Sequence, residues 1–263
     1  RQGKTIRRLD EAERLISRYR PGSMVYEIED PLLGKGRMKL TAAALYEGEG
    51  VILRAEIEQT ETPCEWVIVY GGVNGRRGQR GGDIGCEAEP VGRFFQFRPE
   101  FCRNNQISIR QNVFVLKSKV GTLEGVLPTG AVLLEADGRQ WETLEGMAAS
   151  AGQEFELPVV MASVPLQTGK PAYFLLRRIQ EGEKLSASLL EPLWEKTEQQ
   201  RRDIAGRISA DTPDPFINAA ASALCVAADA IWDEPEGVVM HGAVAWRTPL
   251  AGWRGPYAND ALG

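Results

Sequence analysis

From Glu13 to Ile179 the chain is cut into short runs of alternating apolar and polar residues, each closed by glycine, proline or asparagine. That pattern constrains the fold more than any single motif. Pro21-Gly22-Ser23 separates two such runs and reads as a hairpin turn. After it, Met24, Tyr26 and Ile28 alternate with Val25, Glu27 and Glu29, which suits a strand with one buried and one wet face. The plan repeats with strands predicted over Met38–Tyr46 and Val51–Glu58, turning at Glu47–Gly50. "CEWVIVYGG" follows with a nearly continuous apolar centre, and further strands are predicted in "RFFQFRP", "ISIRQNVFVLKSK", "TLEGVLP", "AVLLEA", "EFELPVVMASVPLQ" and "PAYFLLRRI". Many short strands without intervening helices point to an antiparallel sandwich, not to alternating βαβ units. No internal repeat of propeller or solenoid length is present.

The character changes near residue 183. Leu189, Leu190, Leu193, Trp194, Ile204 and Ile208 form a helical stripe with charges between them, and Pro192 either sits early in that helix or divides it. Asp214-Pro215 is an N-cap and first-turn pair, opening a helix predicted from Pro215 to Trp232. This second helix is apolar almost all the way round. Such a helix is expected to be buried on every side, which one amphipathic neighbour and one sheet face can hardly achieve. Its partners are therefore expected beyond Gly263, with the chain a fragment of something larger.

Composition narrows the function. A hydrophobic fraction of 43% and a charged fraction of 25% are ordinary for a globular protein. A net charge of −5 and a pI near 5.3 speak against a nucleic-acid partner. No run is long and apolar enough for a membrane-spanning segment. Cys64, Cys86, Cys102 and Cys225 lack CxxC spacing, so they read either as buried thiols or, in an exported protein, as including a Cys86–Cys102 disulfide. The single histidine, His241, has no adjacent nucleophile, which disfavours Ser/His/Asp and Cys/His catalysis and a histidine-rich metal site. No cofactor is indicated. Paired-carboxylate chemistry stays open, but spacing selects no pair among 36 acidic residues.

Two stretches are candidates for binding. "GGVNGRRGQRGGDIG" has the glycines of an anion-wrapping loop but lacks the Gly-Lys-Ser/Thr ending and the helix of a P-loop. It is either a solvated surface loop or one in which Asp83, Arg76, Arg77 and Arg80 meet sugar hydroxyls or a uronate. The closing stretch holds Trp246, Arg247, Trp253, Arg254 and Tyr257. Flat aromatic faces suit the C–H face of a pyranose, and guanidinium groups suit carboxylates and paired hydroxyls. The alternative is that the tryptophans are core and the arginines pair with Asp229, Asp233 or Asp260.

"RYRPGSMVYEIEDPLLGKGRMKLTAAAL", "GGDIG", "RPEFC" and the block from Asp214 to Gly263 resemble a family of large bacterial proteins, domain of unknown function 4450. The family is typical of glycan-degrading gut Bacteroidota. The resemblance runs from about Arg18 to the last residue. It implies a mainly β fold: an antiparallel, supersandwich-like β-sandwich followed by an α-helical segment that begins a truncated (α/α) toroid. The implied division is a sandwich over 1–182, a linker helix over 183–212 and the start of the helical domain over 213–263. It also implies the N-terminal region of a glycoside hydrolase-like protein, inactive as this chain alone. A glycan and a C-terminal helical domain are the implied partners, and the implied location is periplasmic, extracellular or surface-attached. His241, Trp246, Arg247, Trp253, Arg254 and Tyr257 are the matching positions taken as sugar-binding, and no catalytic residue is assigned. The alternative function is a non-catalytic carbohydrate-binding or structural sandwich.

Overall fold

The computed structural model describes residues 1–60, 63–71, 97–119, 121–149, 155–179, 185–241 and 249. Among them, eleven strands form two sheets. The strands are β1 (Arg14–Arg20), β2 (Ser23–Glu29), β3 (Arg37–Ala44), β4 (Gly50–Glu58), β5 (Cys64–Tyr70), β6 (Gln106–Arg110), β7 (Val113–Ser118), β8 (Gly121–Val126), β9 (Val132–Asp137), β10 (Pro158–Leu166) and β11 (Ala172–Arg178). The large sheet runs β1-β2-β3-β4-β11-β8-β7-β6, and the small one β5-β10-β9, with antiparallel pairing throughout. Three helices accompany them: α1 (Leu144–Ala149), α2 (Leu190–Ala205) and α3 (Pro215–Ile231). The mainly β, antiparallel expectation therefore holds.

The two sheets face each other across the main core. Ile28, Met38, Leu40, Ile57, Phe114, Leu116 and Phe174 from the large sheet meet Trp66, Val160, Ala162, Val164 and Leu166 from the small one. Aromatic rings link the layers. Trp66 lies edge-on to Phe174 at 6.4 Å, Phe174 is 6.3 Å from Phe114, and Phe114 is 6.2 Å from Tyr70. Such offset contacts add to the area that the rings remove from water.

Strand alternation extends to both faces of β10 and β11. On β11, Ala172 and Phe174 point into the sandwich, while Tyr173 and Leu175 point out beneath α2. On β10, Val160, Ala162 and Val164 point inward, while Val159 and Met161 are covered by Met147 of α1, Cys102 and Leu157. This explains why "PVVMASVPL" and "AYFLL" read as nearly continuous apolar runs: both faces are largely covered. Cys64, Cys102 and Cys225 are free, buried thiols, and burial pushes Cys102 up to about 12. Cys86 lies outside the described residues.

Three local expectations change. "ISIRQNVFVLKSK" is two strands, because Gln111 takes a positive φ of 54° and the Asn112 side-chain amide donates to the Leu127 carbonyl, closing a hairpin. Helix α1 was not expected from the sequence pattern. Of "RFFQFRP" only Phe97, Arg98 and Pro99 are described, and they are not strand. The hairpins at Gly22 and Glu47–Gly50, and the remaining strands, form where alternation places them.

Gly125 of β8 lies opposite Phe114 of β7, and the ring covers the glycine so closely that a Cβ there would overlap it. Gly125→Ala is expected to lower the stability of the chain by about 1–3 kcal/mol through overpacking. Denaturant unfolding checks this; an unchanged midpoint would refute the assigned close packing.

Candidate functional site

Helices α2 and α3 form a unit mounted on the outer face of the large sheet. Leu190 and Trp194 of α2 bury against Ala43, Ile52, Val126, Tyr173 and Leu175. The Trp194 ring lies 6.1 Å from Tyr173, and the Arg54 guanidinium sits 5.8 Å from its centroid. Pro192 falls in the first turn of α2, where its missing N–H costs nothing.

A charged cluster fixes the other end of α2. The Glu198 carboxylate, only 6% exposed, accepts hydrogen bonds from Arg20 Nη2 (2.9 Å), Arg201 Nε (3.0 Å), Arg201 Nη2 (2.9 Å) and Arg202 Nε (3.1 Å). Arg201 Nη1 also donates to the Pro21 carbonyl at 2.7 Å. One carboxylate thus ties the β1–β2 hairpin to the helix. Burial works against ionised Glu198, but the hydrogen bonds and charge of the three guanidiniums outweigh it and hold its pKa below the ordinary range. The Arg201 side chain and Val226 of α3 both lie against Gly22, whose φ of +78° suits glycine, so hairpin, α2 and α3 meet at that turn.

Asp214 caps α3 by accepting from the Phe216 N–H at 2.8 Å, with Pro215 in the first turn. Thr212 and Asn218 clamp the entry: the Thr212 N–H and hydroxyl bond Asn218 Oδ1, and Asn218 Nδ2 donates to the Thr212 carbonyl. The expectation that α3 is buried on every side is not met. Only Cys225 is fully buried, because α2 covers a single side of it. Ile217, Ala220, Leu224 and Ala227 form an exposed apolar stripe at helical spacing, flanked by Phe216, which is 83% exposed. This stripe is the candidate functional face.

After α3, a two-residue hairpin pairs Trp232–Asp233 with Val238–Val239, and His241 follows, exposed. Trp246, Arg247, Trp253, Arg254, Tyr257 and Asp83 lie outside the described residues, as do Arg76, Arg77 and Arg80. Asp229 receives Arg207 Nη1 at 3.5 Å. The Glu198 cluster was missed in the sequence, although Glu198, Arg201 and Arg202 stand at i, i+3 and i+4 on one helix.

Among the described residues, the buried carboxylates are engaged by arginines: Asp30 by Arg7, Asp137 by Arg139 and Glu198 by its three partners; half-buried Glu124 pairs with buried Arg177. Among the described residues, the carboxyls whose pKa shifts, Asp10, Glu27, Asp137 and Glu198, all move down. A general acid in glycoside hydrolysis needs the opposite shift. Among the described residues, no group of three His, Cys, Asp or Glu could hold a metal ion, and no helix is long and apolar enough to cross a membrane.

Comparison with known proteins adds a family. The profile described as "Domain of unknown function (DUF4450)" matches residues 1–198. No curated protein matches. Among solved structures, the chain is similar to a bacterial glucoamylase complexed with acarbose, at 11% identity and a TM-score of 0.39 over 83% of this chain and 32% of that one. It is also similar to a "putative kojibiose phosphorylase from human microbiome", at 10% identity and a TM-score of 0.28 over 80% of this chain and 23% of that one. The chain thus spans about a third or less of these structures.

Glu198→Gln is expected to cost about 3 kcal/mol, because it leaves three guanidiniums facing one another without a counter-charge. The pH dependence has a definite sign. A carboxyl whose folded pKa is depressed contributes fully above its unfolded pKa, and that contribution is lost as pH falls through the folded one. Stability should therefore drop below the ordinary glutamate range, and the drop should be shallower in Glu198→Gln. Urea midpoints measured across that acid range check it; parallel curves for both proteins would refute the assignment.

Proposed function

This chain belongs to the family of domain of unknown function DUF4450, and we propose that it serves as the sandwich and docking unit of a larger glycan-degrading protein. The observation that carries this reading is the exposed stripe Ile217–Ala220–Leu224–Ala227 on a helix whose other side packs on α2, itself seated on the sandwich. An apolar stripe of that width on a capped helix suits packing against further helices. On this reading the occupant is a helical domain C-terminal to α3, which carries the catalytic carboxylates, and the whole protein acts on a glycan outside the cytoplasm.

The sandwich supplies rigidity to that arrangement. Its core fixes β11, β11 fixes Trp194, and the Glu198 cluster fixes the direction in which α3 leaves. His241, Trp246, Arg247, Trp253, Arg254 and Tyr257, with Asp83 from the glycine-rich stretch, are assigned to the sugar-facing wall. The supporting chemistry is theirs: stacking faces and bidentate donors.

The test uses Leu224→Asp in this chain and in the full-length protein. In this chain an exposed position tolerates the change, within about 0.5 kcal/mol. In the full-length protein the same substitution should unseat the helical domain, lower its unfolding temperature and abolish turnover on a glycan panel. Glycan turnover by the 263-residue chain alone, or an unaffected full-length variant, would sink the proposal.

A further inference from the structure

A cavity of about 230 Å³ opens at one end of the sandwich, beneath the segment that leads into β1. Its walls come from Ile28, Met38, Trp66, Leu166, Leu33 and Trp141. The first four are buried core residues from three strands and the end of β10. The cavity is half open to the surface, so its apolar lining meets water unless an occupant covers it. A void of about 150 Å³ with apolar walls already accepts a benzene ring.

The charged side chains around the cavity are paired. Arg7 pairs with Asp30 at 3.4 Å, Arg8 with Asp10 at 3.1 Å, and Arg1 with Glu65. The charge left over is the Arg1 ammonium, which donates to the Glu65 carbonyl at 2.7 Å, so the rim offers a cationic occupant no free counter-charge. Among the described side chains of its lining, Asp30 Oδ2 is the buried polar atom left without a hydrogen bond, far fewer open groups than a sugar ring with hydroxyls all round would require. One wall is held in place before any ligand arrives: Trp141 packs on Phe97, with ring centroids 4.4 Å apart, and the Arg8 guanidinium sits 5.1 Å from its centroid. Trp66 is held by its edge-on contact with Phe174. Met38 adds a polarizable thioether to the lining.

We propose that this cavity is a binding site for a small, neutral, planar aromatic molecule of one or two fused rings, held between Trp66, Trp141 and Met38. The inference is independent of the docking role of α3, since the cavity lies in the sandwich and involves none of its residues.

Indole and 2-naphthol serve as probes, with glucose as the polyhydroxylated comparison and benzylammonium as the cationic one. Binding is read by saturation-transfer NMR and by tryptophan fluorescence. The two neutral aromatics should bind saturably and at least tenfold more tightly than glucose or benzylammonium. Ala12→Phe, which places a ring in the cavity from its half-buried edge, should weaken indole at least tenfold without lowering the unfolding temperature. Leu33→Trp fills the space from the opposite wall and should do the same, so that one misfolded variant does not decide the outcome. Absence of saturable indole binding, equal binding of glucose, or unchanged affinity in a folded filling variant would overturn the proposal.

Discussion

The strand Ala172–Arg178 has no wet face, and much of the structure answers to that fact. Its inward residues need a second sheet, and its outward residues need a helix. A sandwich alone would leave Tyr173 and Leu175 in water; a sheet with one helix would leave Phe174 there. Burying a side chain of this size is favourable by about 1.5–3 kcal/mol. The order of layers, α2 over the large sheet over the small sheet, is therefore set by one strand. The same logic on β10 adds α1 and Cys102 beneath the small sheet.

Attachment and direction have different physical origins. The apolar seam around Trp194 holds α2 down but tolerates rotation, since hydrophobic contact has little directional preference. The Glu198 cluster is directional: each guanidinium meets the carboxylate at hydrogen-bond distance, and Arg201 reaches the Pro21 carbonyl as well. Exchanging a buried ion group for apolar residues need not lower stability, whereas breaking it does. Its contribution here is geometric. It fixes where the second half of α2, and hence α3, stands against the β1–β2 hairpin.

The fold was legible wherever alternation met a turn residue, as at Gly22 and between Ala44 and Gly50. It was also legible at the Asp214-Pro215 cap, where a local hydrogen bond defines the helix start. It was less legible at Gln111-Asn112. There the turn rests on a positive φ and on an amide reaching Leu127, a contact with another part of the chain. Helix α1 is too short for a period to declare itself. The cavity could not be read at all, because its walls come from β2, β3, β5, the end of β10 and the segment before β1. Of the candidate sugar-binding residues, only His241 falls among those described. The face that emerged instead, on α3, was present in the sequence as an excess of apolar residues.

That excess is the most telling conflict between sequence and burial. Composition specifies a helix for an apolar environment, yet in this chain Phe216, Ile217 and Leu224 meet water. Local features do not account for it. The helix is capped, its entry is clamped by Thr212 and Asn218, and Arg207 pairs with Asp229 near its end. A helix so well terminated has its length and position fixed without help from the stripe. The stripe therefore contributes nothing to holding the described structure together. What it adds is a preformed apolar surface, while α2 and the sandwich hold that surface still.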